Sequence, residues 1–135
     1  MDVIVDTSVW SLALRRDAPR GTPEELELAV LIRKGGVMLL GPVRQELLSG
    51  IRSEQQFRLV RDRLSAFPDL RLHPADFESA ASCFNRCRAR GIQGSNTDFL
   101  LCAVSLDRGL PIFTTDRDFE GFARVLALKL HRAGT

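Results

Sequence analysis

The sequence predicts an α/β protein, a three-layer α/β/α sandwich around a central, mainly parallel sheet of four to five strands. Short apolar runs, such as those at 3–5 and 111–114, alternate with segments whose apolar residues recur every three or four positions. Continuous apolar runs are typical of strands buried on both faces, as in parallel sheets covered by helices. With 135 residues and a hydrophobic fraction of 44%, the chain fits one domain over 1–135.

The first half of the chain predicts two strands and four helices. The second helix has the clearest start signal, because Thr22 can cap it, Pro23 suits its first position and Glu25 completes a capping box. In chain order the predicted elements are a strand at 3–5, a helix at 8–14, a helix from 23 that stops at 35–36, a strand at 37–40, a helix at 42–50 and a helix at 53–67.

The second half predicts three strands and two long helices. Gly91 and Gly109 are expected to end the helices, since glycine readily adopts the backbone conformation that follows a helix. In chain order the predicted elements are a short strand at 70–72, a helix at 75–90, a helix at 98–108, a strand at 111–114 and an edge strand at 126–130.

Composition and charge narrow the class of protein. No apolar run reaches the roughly 18 residues that a membrane helix needs, and the N-terminal residues carry no secretion signal, so a cytoplasmic protein is expected. The three cysteines are an odd number without metal-ligand spacing, which favours buried, reduced thiols. The net charge is +2, and setting aside four of the 17 acidic residues leaves 13 against 19 basic ones. A basic body around an acidic pocket suits an enzyme that binds a polyanion.

Four carboxylates are predicted to meet at one edge of the sheet. Asp6 and Asp116 directly follow strands, while Glu46 and Asp98 are expected in the first turns of helices that follow loops. The carboxyl ends of parallel strands form the working edge of such sheets. Oxygen ligands without histidine or thiolate select hard cations, so one or two Mg²⁺ or Mn²⁺ ions are expected. Such ions activate water and stabilise the leaving oxygen of a phosphodiester, which points to phosphodiester hydrolysis.

Each carboxylate also has a purely structural interpretation. Asp98 can complete a capping box with Ser95, and Glu46 can lie near a helix start where negative charge is favoured. Asp6 and Asp116 can be turn or cap residues. Two other functions stay open: an aspartyl-phosphate phosphatase or phosphotransfer domain with Asp6 as nucleophile, and a scaffold that only binds RNA or protein.

At several separated segments the chain resembles the PIN-domain ribonucleases, and among them the VapC toxins of VapBC toxin–antitoxin pairs. The resemblance covers nearly the whole chain and depends on the order and separation of its parts. These parts are the segments at 3–10, 42–50 and 91–98, together with Ala103 and Gly109, and the segment at 114–119.

The resemblance implies an active site and a metal-dependent endoribonuclease activity. Asp6, Glu46, Asp98 and Asp116 would be the acidic quartet. Of these, Asp6, Asp98 and Asp116 would contact the metal, and Glu46 and the accessory Asp118 would act through water. Hydroxyls that orient the carboxylates would come from Thr7, Ser8 and Thr114.

The resemblance also implies partners: an RNA substrate, a second copy of the chain in a homodimer, and a small VapB-like antitoxin that inhibits a toxin acting on translation. The candidates for RNA phosphate contacts are Arg44, Arg52 and Arg58, although a solvated surface explains them equally well. The candidates for binding an antitoxin helix are Leu26, Val30, Phe57 and Leu64, although their helical spacing is also the ordinary signal of a core.

Overall fold

The computed structural model describes residues 2–134, which form a four-stranded parallel sheet covered by helices. The strands are β1 (Val3–Val5), β2 (Val37–Met38), β3 (Ile112–Phe113) and β4 (Leu130–His131). Their order is β2-β1-β3-β4, and Ile4 of β1 pairs with Met38 on one side and Ile112 on the other. The predicted α/β/α class and the parallel sheet are confirmed.

Seven helices lie between these strands in chain order within residues 2–134. They are α1 (Thr7–Leu14), α2 (Pro23–Arg33), α3 (Gly41–Leu48), α4 (Glu54–Leu64), α5 (Pro74–Arg88), α6 (Asn96–Arg108) and α7 (Asp118–Ala123). Helix α1 packs against α2 and α3, α3 packs against α4, and α5 packs against α6. None of these helices combines the length and the apolarity that crossing a bilayer requires.

The core explains why β1 and α6 occupy the centre of the molecule. All three residues of β1 are buried, and α6 is buried without interruption over residues 99–105. An element that is apolar on every side has to be surrounded by other elements. The two central strands β1 and β3 therefore end close together beside the first turns of α1 and α6.

Several predicted elements differ from the structure. The predicted strand at 70–72 is absent, and only an isolated bridge joins Leu39 to Asp69. The strand predicted at 37–40 is reduced to the two residues of β2. The edge strand predicted at 126–130 is displaced, because β4 starts only at Leu130 and ends at His131. The helix predicted at 53–67 ends at Leu64, and the carbonyls of Leu64 and Phe67 accept hydrogen bonds from Arg44.

The start of α2 follows the predicted capping signal with one change. Thr22 Oγ1 accepts the Glu25 N–H at 3.1 Å, but the Glu25 carboxylate accepts the N–H of Gly21 rather than that of Thr22. The core-facing residues of this helix are Leu28 and Leu31, not Leu26, which is 60% exposed. Five apolar residues crowd the segment at 28–32, so spacing alone did not identify the buried face.

Candidate active site at the carboxyl end of the sheet

Asp6 is the buried carboxylate of the site, with only 6% of its surface exposed. It follows β1 directly and is the N-cap residue of α1, yet its side chain makes no capping hydrogen bond. Instead, Oδ2 accepts hydrogen bonds from Ser8 Oγ at 2.9 Å and from Thr114 Oγ1 at 2.8 Å. Within residues 2–134 Oδ1 has no hydrogen-bond partner, so one oxygen of a held carboxylate stays available as a ligand.

The hydroxyls of Ser8 and Thr114 join the ends of two strands. Their oxygens lie 3.2 Å apart, Ser8 Oγ accepts the N–H of Thr115 and Thr114 Oγ1 accepts the N–H of Asp116. These bonds fix the turn that carries Asp116 after β3. The structure thus places two of the three predicted hydroxyls directly on Asp6.

Asp98 contributes a partly buried carboxylate from the first turn of α6. Burial raises its pKa above the ordinary value, and the negative charges of Asp6 and Asp116 raise it further, whereas hydrogen bonds with Ser95 lower it. The capping box with Ser95 is also present, with Asp98 Oδ2 accepting the Ser95 N–H at 3.2 Å. The structural and the functional interpretation of Asp98 are therefore compatible, because the box engages only one carboxylate oxygen.

Glu46 lies farther out, where its side chain is exposed on α3. Its Oε1 accepts a 2.6 Å hydrogen bond from Thr7 Oγ1 at the start of α1. The expectation that Glu46 occupies the first turn of its helix is wrong, because α3 starts at Gly41 and has no acidic residue in its first turn. The structural interpretation of Glu46, as a negative charge that stabilises a helix start, is therefore also wrong. The helix dipole acts on charges in the terminal turn only.

Asp116 and Asp118 form the outer rim. Asp116 is partly exposed three residues beyond the end of β3, and its Oδ1 accepts the N–H of Asp118 at 2.9 Å. Asp118 starts α7, and its exposed side chain makes no hydrogen bond within residues 2–134. An accessory role for Asp118 stays a prediction.

The donor set suits a hard divalent cation. Within residues 2–134 no three histidine, cysteine, aspartate or glutamate side chains are close enough to hold one ion together. Magnesium commonly keeps several waters and takes only one or two protein carboxylates directly. The site therefore fits a hydrated ion bound partly through water, and the direct ligation by Asp6, Asp98 and Asp116 stays a prediction.

The predicted RNA-contacting arginines have different surroundings. Arg44 donates to Asp69 Oδ1 at 2.8 Å and to the carbonyls of Leu64 and Phe67, so its guanidinium is engaged in the fold. On α4, Arg58 Nη1 lies 3.5 Å from Glu54 Oε1, and both side chains are exposed. Arg52 is exposed as well.

Arg117, which was not among the predicted site residues, is exposed between Asp116 and Asp118. Its side chain has no hydrogen-bond or ion-pair partner within residues 2–134. Its position in the sequence between Asp116 and Asp118 could have indicated that it lies at the site.

The comparisons with known proteins agree with this arrangement. A family model for the PIN domain matches residues 3–125, and the chain therefore belongs to the PIN-domain family. PIN domains are nucleases. No curated protein matches the sequence.

Solved structures resemble the whole chain in fold. FitAcB from Neisseria gonorrhoeae has a TM-score of 0.75 at 18% identity, with 97% of each chain covered. VapBC2 from Rickettsia felis, solved bound to a DNA fragment from its promoter, has a TM-score of 0.78 at 16% identity, with 97% of this chain and 98% of the other covered. VapBC-1 from nontypeable Haemophilus influenzae has a TM-score of 0.73 at 15% identity and full coverage of both chains.

Proposed function

We propose that this chain is a metal-dependent endoribonuclease that hydrolyses RNA phosphodiester bonds with Asp6, Glu46, Asp98 and Asp116. The observation that carries the proposal is the buried Asp6 carboxylate, which two hydroxyls hold through one oxygen and which raises the pKa of Asp98 electrostatically. Carboxylates that interact electrostatically without a positive charge between them repel one another. A bound cation would compensate this repulsion. Membership of the PIN family supports the same activity.

The side chains have separate roles in the proposed reaction. A divalent ion, Mg²⁺ or Mn²⁺, supplies Lewis acidity toward water and phosphate when it is bound. Ser8 and Thr114 fix Asp6 so that Oδ1 faces no competing donor, and Ser95 restrains Asp98 in the same way. Glu46 is held by Thr7 at Oε1, and its other oxygen is proposed to orient the attacking water and accept its proton.

The cleavage assay compares the wild type with Asp6→Asn while manganese or magnesium is titrated against a mixture of cellular RNAs. Asp107→Asn is the matched control, because this exposed aspartate lies on α6 outside the site. We expect metal-dependent cleavage by the wild type and by the control, and a loss of at least about a hundredfold in Asp6→Asn. Cleavage without divalent metal, or full activity of Asp6→Asn, contradicts the mechanism.

Stability without metal provides a second test of the same residue. Because the carboxylates repel one another, Asp6→Asn should be as stable as the wild type or more stable in chelator. It should also lose the stabilisation that manganese gives the wild type. A marked fall in melting temperature in chelator would instead assign Asp6 a structural role.

We also propose that the chain is the toxin of a toxin–antitoxin pair that inhibits translation in the cytoplasm. Support comes from the resemblance of its motifs to the VapC toxins and from its similarity in fold to the VapBC structures. The proposed partners are a small VapB-like antitoxin and a second copy of the chain. Leu64 is fully buried and therefore belongs to the core, whereas Leu26 is exposed and remains available to an antitoxin helix.

Expression in cells tests the toxin role separately from the chemistry. Induction of the wild type should arrest growth and translation, and co-expression of a small antitoxin encoded in an adjacent reading frame should restore both. Asp6→Asn, produced at the same level, should leave growth unchanged. Active cleavage in vitro without any growth arrest would support a nuclease outside a toxin–antitoxin pair.

A further inference from the structure

A cavity of about 290 Å³ opens beside the carboxylate site, between the ends of β3 and β4 and the first turn of α2. Its lining includes Asp116 and Arg117 after β3, His131 and Arg132 at and after the end of β4, and Glu24 in the first turn of α2. We infer that this cavity binds the guanine nucleotide next to the scissile phosphate, with Glu24 recognising the base and Arg117 holding a phosphate. This inference rests on the proposed ribonuclease function and names a determinant of its specificity.

The charged residues that line the cavity divide into those with partners and those without. Glu120 Oε1 lies 3.7 Å from Arg132 Nη1, and His131 Nε2 lies 2.6 Å from Glu27 Oε2. Asp116 belongs to the carboxylate site and accepts the N–H of Asp118. Within residues 2–134, Glu24 and Arg117 are the charged lining residues whose side chains make neither a hydrogen bond nor an ion pair. One anion and one cation therefore face the same space with their bonding capacity unused.

The carboxylate of Glu24 matches one base in particular. A carboxylate is an acceptor with two oxygens, and it can take two parallel donors. Guanine offers two adjacent donors on its Watson–Crick edge, the N1–H and the exocyclic amine, whereas uracil offers one and adenine and cytosine offer a single amine. Proteins recognise unpaired RNA bases through such edges. Glu24 is partly buried, so its hydrogen bonds are less exposed to competition from water.

The size and position of the cavity fit one nucleotide of a chain that continues through the active site. Small-molecule sites begin at about 300 Å³, so the space suits a single nucleotide rather than several. Because Asp116 borders both the cavity and the carboxylate site, a base held there lies next to the phosphate being cleaved. Arg117, which follows Asp116 directly, can hold a neighbouring phosphate through its planar guanidinium.

Glu24 also has a purely structural explanation, since it lies in the first turn of α2, where negative charge stabilises the helix. That explanation predicts an effect on stability alone and no effect on nucleotide binding. A binding measurement therefore separates the two roles without relying on cleavage.

The first experiment measures binding of 5′-GMP, 5′-IMP, 5′-AMP, 5′-CMP and 5′-UMP to the whole protein in metal-free buffer by NMR titration. We expect 5′-GMP to bind best, 5′-IMP to bind about tenfold more weakly because it lacks the exocyclic amine, and the others to bind more weakly still. Glu24→Gln should remove the preference for 5′-GMP. Glu54→Gln, a first-turn glutamate of α4 outside the cavity, should retain it.

Arg117 is tested in the same titration with guanosine as the second ligand. Arg117→Gln should bind 5′-GMP no better than guanosine, whereas the wild type should prefer the phosphorylated ligand. Arg124→Gln is the matched control, because this exposed arginine at the other end of α7 does not line the cavity.

The second experiment maps the ends of RNA fragments produced by the wild type and by Glu24→Gln. We expect guanine at one fixed position beside the cut in the wild type and a loss of that preference of about tenfold or more in the variant, with the overall cleavage rate less affected. Equal binding of the four natural nucleotides, or a guanine preference unchanged in Glu24→Gln, overturns the inference. Absence of cleavage by the wild type refutes the proposed function instead, and the nucleotide titration still decides whether the cavity binds guanine.

Discussion

The hydroxyl of Thr114 donates a 2.8 Å hydrogen bond to Oδ2 of Asp6, although 108 residues separate the two in the chain. The bond is possible because β1 and β3 are neighbours in the sheet, with Val5 paired to Phe113. Both residues follow the last paired position of their strands and therefore meet at the same edge. The central strand pairing thus fixes the position of Asp6, one of the two buried aspartates among residues 2–134.

Replacing Thr114 with valine should weaken catalysis more than it weakens the fold. The variant keeps the side-chain shape but loses the bond to Asp6 and the acceptor for the Asp116 N–H. We expect a loss of about 1–2 kcal/mol of stability and a fall in kcat of roughly tenfold with little change in KM. Urea unfolding and steady-state cleavage of a short RNA provide both values. Thr115→Val, the neighbouring substitution at an exposed side chain without a hydrogen bond, should match the wild type, and equal losses in both variants contradict the proposed role.

Asp98 should make metal-free stability fall as pH rises. Its pKa is raised in the folded protein above the ordinary value of 3.8, so in the pH range just above that value the native state binds more protons than the unfolded state. The stability is therefore greatest below this range and decreases as Asp98 ionises. Thermal unfolding in chelator between about pH 3.5 and 7 should reveal this decrease in the wild type and a smaller one in Asp98→Asn. If the wild type and Asp98→Asn show the same dependence of stability on pH, the decrease does not come from Asp98.

Arg44 should prove structural rather than substrate-binding. Its guanidinium joins α3 to the chain that leaves α4, through Asp69 and the carbonyls of Leu64 and Phe67. Arg44→Lys cannot reproduce this forked pattern and should lower the free energy of unfolding by about 1–3 kcal/mol. RNA affinity, measured well below the melting temperature, should remain unchanged. Arg58→Lys, on an exposed pair with Glu54, should change stability by less than about 0.5 kcal/mol. A weakened RNA affinity at unchanged stability of Arg44→Lys restores the substrate-binding hypothesis.

The sequence predicted those features of the molecule that depend on local patterns. Asp6 and Asp116 were identified because each follows an apolar run, and the Ser95–Asp98 capping box was visible in four consecutive residues. The pattern Leu70-Arg71-Leu72 suggested a strand, but the chain there makes only one bridge at the edge of the sheet, which short alternation cannot reveal.

Features that depend on tertiary contacts were not predictable in the same way. The engagement of Arg44 requires the end of α4 to lie beside α3, and nothing in the flanking residues indicates this. The cavity between Glu24 and Arg117 arises because the sheet brings the start of α2 beside the residues that follow β3. Glu24 and Arg117 are far apart in the sequence, so their proximity is a property of the fold.

Gly94 should tolerate no side chain, because it lies against the aromatic core beneath the first turn of α6. A Cβ at this position would lie 2.5 Å from Cζ of Phe122 and 3.1 Å from Cε2 of Phe99. The ring of Phe122 is fully buried and packs on those of Phe99 and Phe119, so it has no free space to move into. Gly94→Ala should therefore lower the free energy of unfolding by about 1–3 kcal/mol, as measured by urea unfolding.

The matched control for this substitution is Gly121→Ala within α7. An added Cβ there meets only Cγ2 of Ile92 at 3.8 Å, an ordinary contact, and alanine is favoured over glycine inside a helix by up to about 1 kcal/mol. We therefore expect Gly121→Ala to be neutral or stabilising. Because Gly94 precedes the Ser95–Asp98 capping box, displacement of the loop in Gly94→Ala should also reduce RNA cleavage, whereas Gly121→Ala should retain it. If Gly94→Ala has wild-type stability, the aromatic rings can rearrange around the added methyl group. If it also has full activity, the position of Asp98 does not depend on this packing.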